Sequence, residues 1–265
     1  MPLVKTDHRG HVFEISLDRT EKRNAINMPM LAELEQAFVQ AERHFNENSA
    51  RVVLLTAQGN NFSSGIDVEE LASAPNKYGD NWKHNLFPMT DDLQRVLSRI
   101  EACSLPVIAV IQGYCIGLGL EMALACDFRF AAARTRFSLP ESRLGMVPDV
   151  GGTARLVGLV GPSRAKELIM TGRSFDAEYA EQWGIVTKVA PRDDLMAAAE
   201  AFAAEIALAA PLAVSYTKRI INDMMETQRK LQIEAWAQAA LFRTEDFVTA
   251  VGAALSRQTP EWKGK

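Results

Sequence analysis

The sequence predicts an α/β core over residues 1–190, followed by a helical C-terminal region over residues 191–265. Segments with strand and helix patterns alternate along the first range. The chain after Pro191 is rich in Ala and shows helix patterns alone, with a break at Pro211. The length of 265 residues and the hydrophobic content of 48% also suffice for a large buried core.

The predicted strands of this core are short. Residues 12–17 alternate between apolar and polar side chains, as expected for a half-buried strand. The apolar run 106–111 has the composition of a buried strand, and segments 51–56 and 127–132 also show strand patterns. These segments are expected to form the sheet.

The predicted helices follow from apolar spacing. Between residues 29 and 45, apolar side chains recur every three or four positions, which indicates one face of a helix. Residues 91–102 are predicted to form a second helix. The intervening segment 72–90 has no clear period and contains Pro, Gly and Asn, so it is predicted to be a loop or a mobile lid.

The charge balance argues against polyanionic partners. A formal net charge of −4 gives no overall attraction to nucleic acid or to an anionic membrane. No window approaches the roughly 18 unbroken apolar residues of a membrane span, and the N-terminus lacks the apolar stretch of a secretory signal. We therefore expect no nucleic-acid partner, no membrane and a cytoplasmic location. The mitochondrial matrix is the alternative if a transit segment is missing.

The sequence gives no support for metal or thiol chemistry. Cys103, Cys115 and Cys126 lack a C-x-x-C spacing and are predicted to be small buried hydrophobic residues. The histidines stand apart without an H-E-x-x-H pair, so neither a metal site nor a histidine-based triad is predicted. No G-x-S-x-G elbow or phosphate-binding loop occurs.

A glycine-rich turn is the first candidate for chemistry. Gly117 and Gly119 lie where a predicted strand leads into an apolar helix. The first turn of a helix leaves free N–H groups with partial positive charge, which stabilise an oxygen that develops negative charge. The turn at residues 62–67 could supply a second donor. The alternative is that these glycines only allow close packing of strand and helix.

Three acids are candidates for proton transfer. Glu121 lies among apolar neighbours, and burial of a carboxyl group raises its pKa towards neutrality. The alternative is that it only interacts with the helix dipole. Glu141 and Asp149 lie in turn-forming segments, where acids are usually solvated. The sequence alone does not show that either approaches Glu121.

Five segments, taken in order, resemble the crotonase (enoyl-CoA hydratase/isomerase) superfamily over nearly the whole chain. They are RTEKRNAIN, NNFSSGIDVEEL, LPVIAVIQGYCIGLGLEMALACDFRFAA, FSLPESRLGMVPDVGGTARL and TEDFVTAVGAALSRQTPEWKGK. The resemblance implies a spiral of β-β-α repeats with a helical C-terminal trimerisation region. It also implies a homotrimer, or a homohexamer built from two trimers.

The resemblance further implies an enoyl-CoA hydratase that adds water syn across a trans-2-enoyl-CoA. In the family, two backbone N–H groups hold the thioester carbonyl, and they correspond here to Ile66 and Leu118. Many members have Gly at the latter position, so the Leu118 side chain is expected to narrow the acyl pocket. The two catalytic glutamates correspond to Glu121, which would deprotonate water, and Glu141, which would protonate the α-carbon.

Asp149 introduces an alternative reaction. Dienoyl-CoA isomerases of the family have Asp at the matching position, where typical hydratases have a small residue, and the FSSGID segment also resembles that branch. Such an enzyme would shift two double bonds (Δ3,5 to Δ2,4) without adding water. That branch tends to have Asp where this chain has Glu121, however. The sequence therefore combines a hydratase pair with an isomerase acid.

The resemblance also indicates where CoA binds. The expected contacts are Lys22, Arg23, Asn24, Ala25, Ser63 and Ser64. No cofactor is expected beyond the CoA moiety of an acyl-CoA thioester substrate.

Two further functions are compatible with the resemblance. The same oxyanion hole could serve an acyl-CoA thioester hydrolase, because it stabilises any enolate or tetrahedral oxyanion. A non-catalytic RNA-binding module of the same fold is the other alternative. The acidic net charge and the intact acids argue against it.

Overall fold

The computed structural model describes residues 2–73, 75–76, 79 and 82–264, with the backbone alone for 82–88 and 228. The strands are β1 (Val4–Arg9), β2 (Val12–Leu17), β3 (Val52–Ala57), β4 (Val107–Ile111), β5 (Tyr114–Ile116), β6 (Phe128–Ala132), β7 (Arg136–Ser138), β8 (Phe175–Asp176) and β9 (Lys188–Ala190).

The helices of the described residues are α1 (Met28–Asn46), α2 (Val68–Ala72), α3 (Trp82–Ala102), α4 (Leu118–Leu124), α5 (Gly152–Thr171), α6 (Ala177–Gln182), α7 (Leu195–Ala207), α8 (Pro211–Met224), α9 (Thr227–Leu241) and α10 (Glu245–Ser256). Short 3₁₀ turns occur at Thr20–Lys22, Glu141–Leu144 and Arg192–Asp194. The strand and helix patterns read from the sequence in the core therefore correspond to β2, α1, β3, β4 and β6.

The strands form two sheets. A six-stranded sheet has the order β1-β2-β3-β4-β6-β9, and a three-stranded sheet has the order β5-β7-β8. In the larger sheet β1 and β2 pair antiparallel, and the other neighbours pair parallel. β4 is followed by β5 and α4, and β6 by β7 and α5, which gives β-β-α units.

The larger sheet is buried on both faces. Side chains of β3 alternate between two cores, with Val53 and Leu55 in one and Val52 and Leu54 in the other. The second core is completed by Leu195 and other apolar residues of α7. Burial on both faces explains why β3 is a continuous apolar run. Helix α7 thus packs on the sheet, although it follows residue 190, and the domain division there stays a prediction.

The prediction of a loop over 72–90 was wrong for Ala72, which ends α2, for the helical residues 75–76 and for residues 82–90. Helix α3 begins at Trp82 and continues through Pro88, and a proline within the segment argues against a helix when only the sequence is considered. The helix is held by burial of its later turns, where Leu93, Leu97 and Ile100 enter the main core. Residues 74, 77, 78, 80 and 81 of the predicted loop lie outside the described residues.

No single helix of the described residues is long and apolar enough to span a membrane. The pair Arg192–Ala207 and Pro211–Met224, bent by 105°, meets the length and hydropathy of a span only when the two are joined.

Helix α8 is attached to the sheet by a buried ion pair. Lys218 donates from Nζ to Asp127 Oδ2 at 2.7 Å and to the carbonyl oxygen of Leu105 at 3.0 Å. The same Asp127 oxygen accepts the backbone N–H of Val107 at the start of β4. Removal of one partner of a buried pair leaves an uncompensated charge.

We expect Lys218→Met to lower the free energy of unfolding by about 3 kcal/mol, because the Asp127 carboxylate then stays buried without its cation. The measurement is urea unfolding of the purified protein. The control Lys166→Met changes an exposed lysine of α5 and should shift stability by less than about 0.5 kcal/mol. Equal effects of the two substitutions would contradict the structural role of the pair.

Candidate active site

A cavity of about 120 Å³ lies between α4, the turn before α5 and the C-terminal helices. Its lining includes the sequence-predicted catalytic and oxyanion residues, which are Ile66, Leu118, Glu121, Glu141 and Asp149. Segments distant in the sequence therefore contribute to one site. Most of the other lining residues are apolar.

Glu121 lies on the first turn of α4 and is almost fully buried. Its Oε1 accepts the backbone N–H groups of Val150 and Gly152, each at 2.9 Å. A Cβ at Gly152 would lie 2.8 Å from that oxygen, so the approach requires glycine. Burial raises the pKa of Glu121 well above its usual value, and Glu141, Asp149 and Glu234 add to the effect.

Glu141 follows Pro140 in the short 3₁₀ turn and is also buried. Its Oε2 has no hydrogen-bond partner among the described residues. A Cβ at Gly117 would lie 2.8 Å from its Oε1, so the glycine at this turn makes room for the carboxyl group. Burial raises the pKa of Glu141 to about 8, and Asp149 contributes. The group is therefore mostly protonated at neutral pH.

Asp149 is held by α3. Thr90 Oγ1 donates to Asp149 Oδ2 at 2.8 Å, and Gln94 Nε2 donates to the Asp149 carbonyl oxygen at 2.6 Å. Burial raises the pKa of Asp149 to about 7, against the opposing effect of the hydrogen bond from Thr90. The segment predicted to be a lid therefore supplies a partner for a site residue.

Glu234 is a fourth buried acid, which sequence reasoning missed. It lies on α9 and accepts the backbone N–H of Gly151 at Oε2 (2.7 Å) and that of Ala154 at Oε1 (2.6 Å). Burial raises its pKa to about 7. Its spacing of three from buried Leu231 and four from buried Gln238 is the signal that marks it on the buried face of α9.

The two predicted oxyanion amides lie beside each other in the fold. Within the described part of the chain, no acceptor takes the N–H of Ile66 or of Leu118. Gly65 has a φ of +93°, and a Cβ there would lie 2.8 Å from the Ile116 carbonyl oxygen and 3.6 Å from the Leu118 nitrogen. Glycine therefore allows the two segments to meet. The Leu118 side chain is buried and lines the cavity.

The predicted CoA contacts divide into exposed and buried residues. Lys22 and Arg23 are exposed, and Lys22 pairs with Glu69 at 2.9 Å. Ser64 lines the cavity, and its backbone N–H donates to the Arg23 carbonyl oxygen at 3.1 Å.

The other three predicted CoA contacts are buried. The Asn24 side chain donates to the carbonyl oxygens of Gln58 and Asn61, and Ser63 Oγ donates to that of Asn24. Ala25 is buried as well. The side chains of Asn24 and Ser63 therefore link the turn at residues 22–25 to the segment 58–63.

Comparison with known proteins identifies the family. The sequence profile of the Enoyl-CoA hydratase/isomerase family matches residues 7–265. This chain is a member of that family. It is 36% identical to the probable mitochondrial enoyl-CoA hydratase 2 of Arabidopsis thaliana, over 96% of this chain and 82% of that protein. It is 32% identical to the 2,3-dehydroadipyl-CoA hydratase of Escherichia coli K12, over 96% of both.

A solved structure confirms the predicted fold class. The crystal structure of an enoyl-CoA hydratase from Mycobacterium avium subsp. paratuberculosis K-10 superposes with a TM-score of 0.85. The identity is 27%, and the match covers 98% of each chain. The α/β architecture with C-terminal helices is thus that of the crotonase superfamily.

In this enoyl-CoA hydratase/isomerase family member, the basic side chain that lies close to the buried acids, Arg155, is already paired with other groups. Its guanidinium pairs with Glu101 at 2.9 Å and donates to the Val150 carbonyl oxygen. The site therefore holds protons that are released only near or above neutral pH.

Stability should consequently fall as pH rises from about 5 to about 8. Acids with a higher pKa in the folded state, such as Glu141, Asp149 and Glu234, bind more protons when folded, so each rise in pH favours unfolding. Between pH 5 and 6, Asp149 alone should contribute up to about 1.4 kcal/mol per pH unit to the decline in the free energy of unfolding. Asp149→Asn should remove this contribution. Urea unfolding at several pH values measures this pH dependence. If the free energy of unfolding changes equally with pH in the natural protein and in Asp149→Asn, the raised pKa of Asp149 is contradicted.

Proposed function

We propose that the protein is an enoyl-CoA hydratase that adds water syn across the double bond of a trans-2-enoyl-CoA. The supporting observation is that Glu121 and Glu141 line one cavity with the amides of Ile66 and Leu118, which have no acceptor among the residues that the structure describes. Relatives whose names describe enoyl-CoA hydratases support the same reaction.

The two amides would act on the thioester carbonyl. Their N–H groups donate to its oxygen, which makes the β-carbon electrophilic and stabilises the enolate formed when water adds. Each such donor typically contributes about 3 kcal/mol of transition-state stabilisation. Leu118 supplies its amide from the first turn of α4, where the helix dipole adds partial positive charge.

The two glutamates differ in their hydrogen bonding, and this difference supports different roles. Burial raises the pKa of both, so one of the pair holds a proton at neutral pH. Two amide donors at Glu121 Oε1 favour the ionised form there, whereas no donor among the described residues reaches Glu141 Oε2. Glu121 therefore takes the proton from water, and Glu141 delivers one to the α-carbon.

A dienoyl-CoA isomerase is the second candidate function. It is favoured by the buried carboxyl group of Asp149, which lines the same cavity as Glu141. A pKa of about 7 would let Asp149 accept and return a proton near neutral pH. In that reaction Asp149 and Glu141 exchange protons with different carbons of the acyl chain, and no water is added.

Three substitutions distinguish these reactions. Glu121→Gln and Glu141→Gln should each lower kcat for hydration of crotonyl-CoA by at least about 100-fold, because a proton-transfer group is lost. Asp149→Asn should change hydration by less than about 3-fold if the hydratase reaction is correct, since Asp149 then transfers no proton. Loss of the double-bond absorbance of crotonyl-CoA provides the measurement.

The control Glu178→Gln lies at an exposed position of α6 and should leave kcat unchanged. Turnover of a 3,5-dienoyl-CoA without hydration of crotonyl-CoA would instead establish the isomerase. Release of free CoA thiol as the sole reaction would establish a thioester hydrolase.

We further propose that CoA lies along residues 22–25 and the Ser63–Ser64 segment, and that the protein forms a homotrimer or a homohexamer. An exposed apolar stripe on α8, made of Leu212, Tyr216 and Ile220, supports assembly, because such patches mark interaction surfaces. The side chains recur every fourth residue and are at least 60% exposed.

Light scattering after size-exclusion chromatography should give a mass three or six times that of the 29.2 kDa chain. The double substitution Tyr216→Glu and Ile220→Glu places charge on the stripe and should reduce that mass, because burial of unpaired charge is unfavourable. A monomeric natural protein would refute the assembly.

A further inference from the structure

The side-chain amide of Gln238 uses its oxygen in a hydrogen bond, whereas its nitrogen has no partner among the described residues. Gln238 lies on α9, is 1% exposed and lines the cavity. Its Oε1 accepts the backbone N–H of Val147 at 3.0 Å. Because a backbone N–H needs an acceptor, this bond fixes the orientation of the amide, and Nε2 points away from Val147.

The Nε2 group has no acceptor within the described part of the chain. An unpaired N–H donor beside a largely apolar cavity favours an occupant that supplies an oxygen acceptor. We propose that Gln238 Nε2 donates a hydrogen bond to a neutral oxygen on the acyl group, which makes Gln238 a specificity-determining residue. This inference rests on the proposed acyl-CoA function.

The acids around the cavity determine whether the acceptor oxygen on the acyl group is charged or neutral. Glu121, Glu141 and Asp149 line the same space, and any of them that ionises is negatively charged. A carboxylate on the acyl chain would meet like charges at low dielectric, which is unfavourable. A hydroxyl or carbonyl oxygen accepts the hydrogen bond without this repulsion.

The size of the cavity limits the acyl group. An apolar protein cavity of about 150 Å³ accommodates benzene. The present cavity of about 120 Å³ is of comparable size, which favours a short acyl group of about six carbon atoms or fewer. Its walls are packed side chains such as Leu93 and Phe242, which belong to the main core. The preferred substrate class is thus a short 2-enoyl-CoA with a hydroxyl or carbonyl oxygen on its chain.

A matched substrate panel tests the inference. It contains 2-hexenoyl-CoA, its 4-, 5- and 6-hydroxy forms, its 5-oxo form and the carboxylate-ended 2-hexenedioyl-CoA. The natural protein should show kcat/KM about tenfold higher for at least one hydroxy or oxo substrate than for 2-hexenoyl-CoA, which corresponds to one hydrogen bond. In Gln238→Met this ratio should fall to about one.

A disturbance of the turn around Val147 would not by itself change the ratio of kcat/KM between oxygenated substrates and 2-hexenoyl-CoA. Gln238→Met also removes the acceptor of the Val147 amide, two residues before Asp149, and that loss should lower turnover of all substrates by the same factor. The matched control is Glu234→Gln, which weakens the hold on Gly151 or Ala154 from the same helix without lining the cavity. It should slow every substrate equally.

The outcomes separate this inference from the proposed hydratase activity. Hydration of 2-hexenoyl-CoA with no preference for oxygenated chains, a preference for the carboxylate, or an unchanged ratio in Gln238→Met overturns the role of Gln238 alone. Failure to hydrate any member of the panel overturns the hydratase itself. If Gln238→Met does not fold, calorimetric binding of hexanoyl-CoA and its hydroxylated forms to the natural protein decides the matter, and equal affinities overturn the inference.

Discussion

The site depends on one turn of backbone that is held between two buried carboxylates. The amides of Val150 and Gly152 bind Glu121, and those of Gly151 and Ala154 bind Glu234. These N–H groups lie at the start of α5, where a helix leaves its first donors unpaired. The carboxylates satisfy the donors and oppose the positive end of the helix dipole, so the fold and the reactive groups stabilise each other.

The same burial that makes this arrangement costly also makes it reactive. A carboxyl group in contact with water would be fully ionised at neutral pH, and a poor acid. In the cavity, desolvation raises the pKa of Glu141 to about 8 and that of Asp149 to about 7. In the proposed reaction, proton transfer would therefore take place between groups of similar proton affinity, as general acid–base catalysis requires. The apolar lining supplies the low dielectric, and the glycines at 117 and 152 supply the room.

Sequence reasoning found the parts of the site that local patterns encode. Glu121 stood out because its helical neighbours are apolar, and the glycine turn because a strand leads directly into a helix. The approach of Glu141 and Asp149 to Glu121 is set by tertiary packing, and only family resemblance suggested it. Glu234 was missed because α9 mixes buried Leu231 with exposed Ile233 and Trp236, so its apolar side chains do not mark a single buried face. The start of α3 was missed because Pro88 interrupts the pattern.

The position of Glu234 late in the chain, far after the turn that it holds, has a consequence for biosynthesis. Glu234 lies 83 residues after Gly151, so the turn has only one of its two anchors while the ribosome is still making the C-terminal helices. The order of synthesis at about 5–20 residues per second thus leaves the amides of Gly151 and Ala154 without their acceptor for several seconds. The nascent chain can build its sheet early, but it acquires the complete set of acids only when α9 emerges and docks.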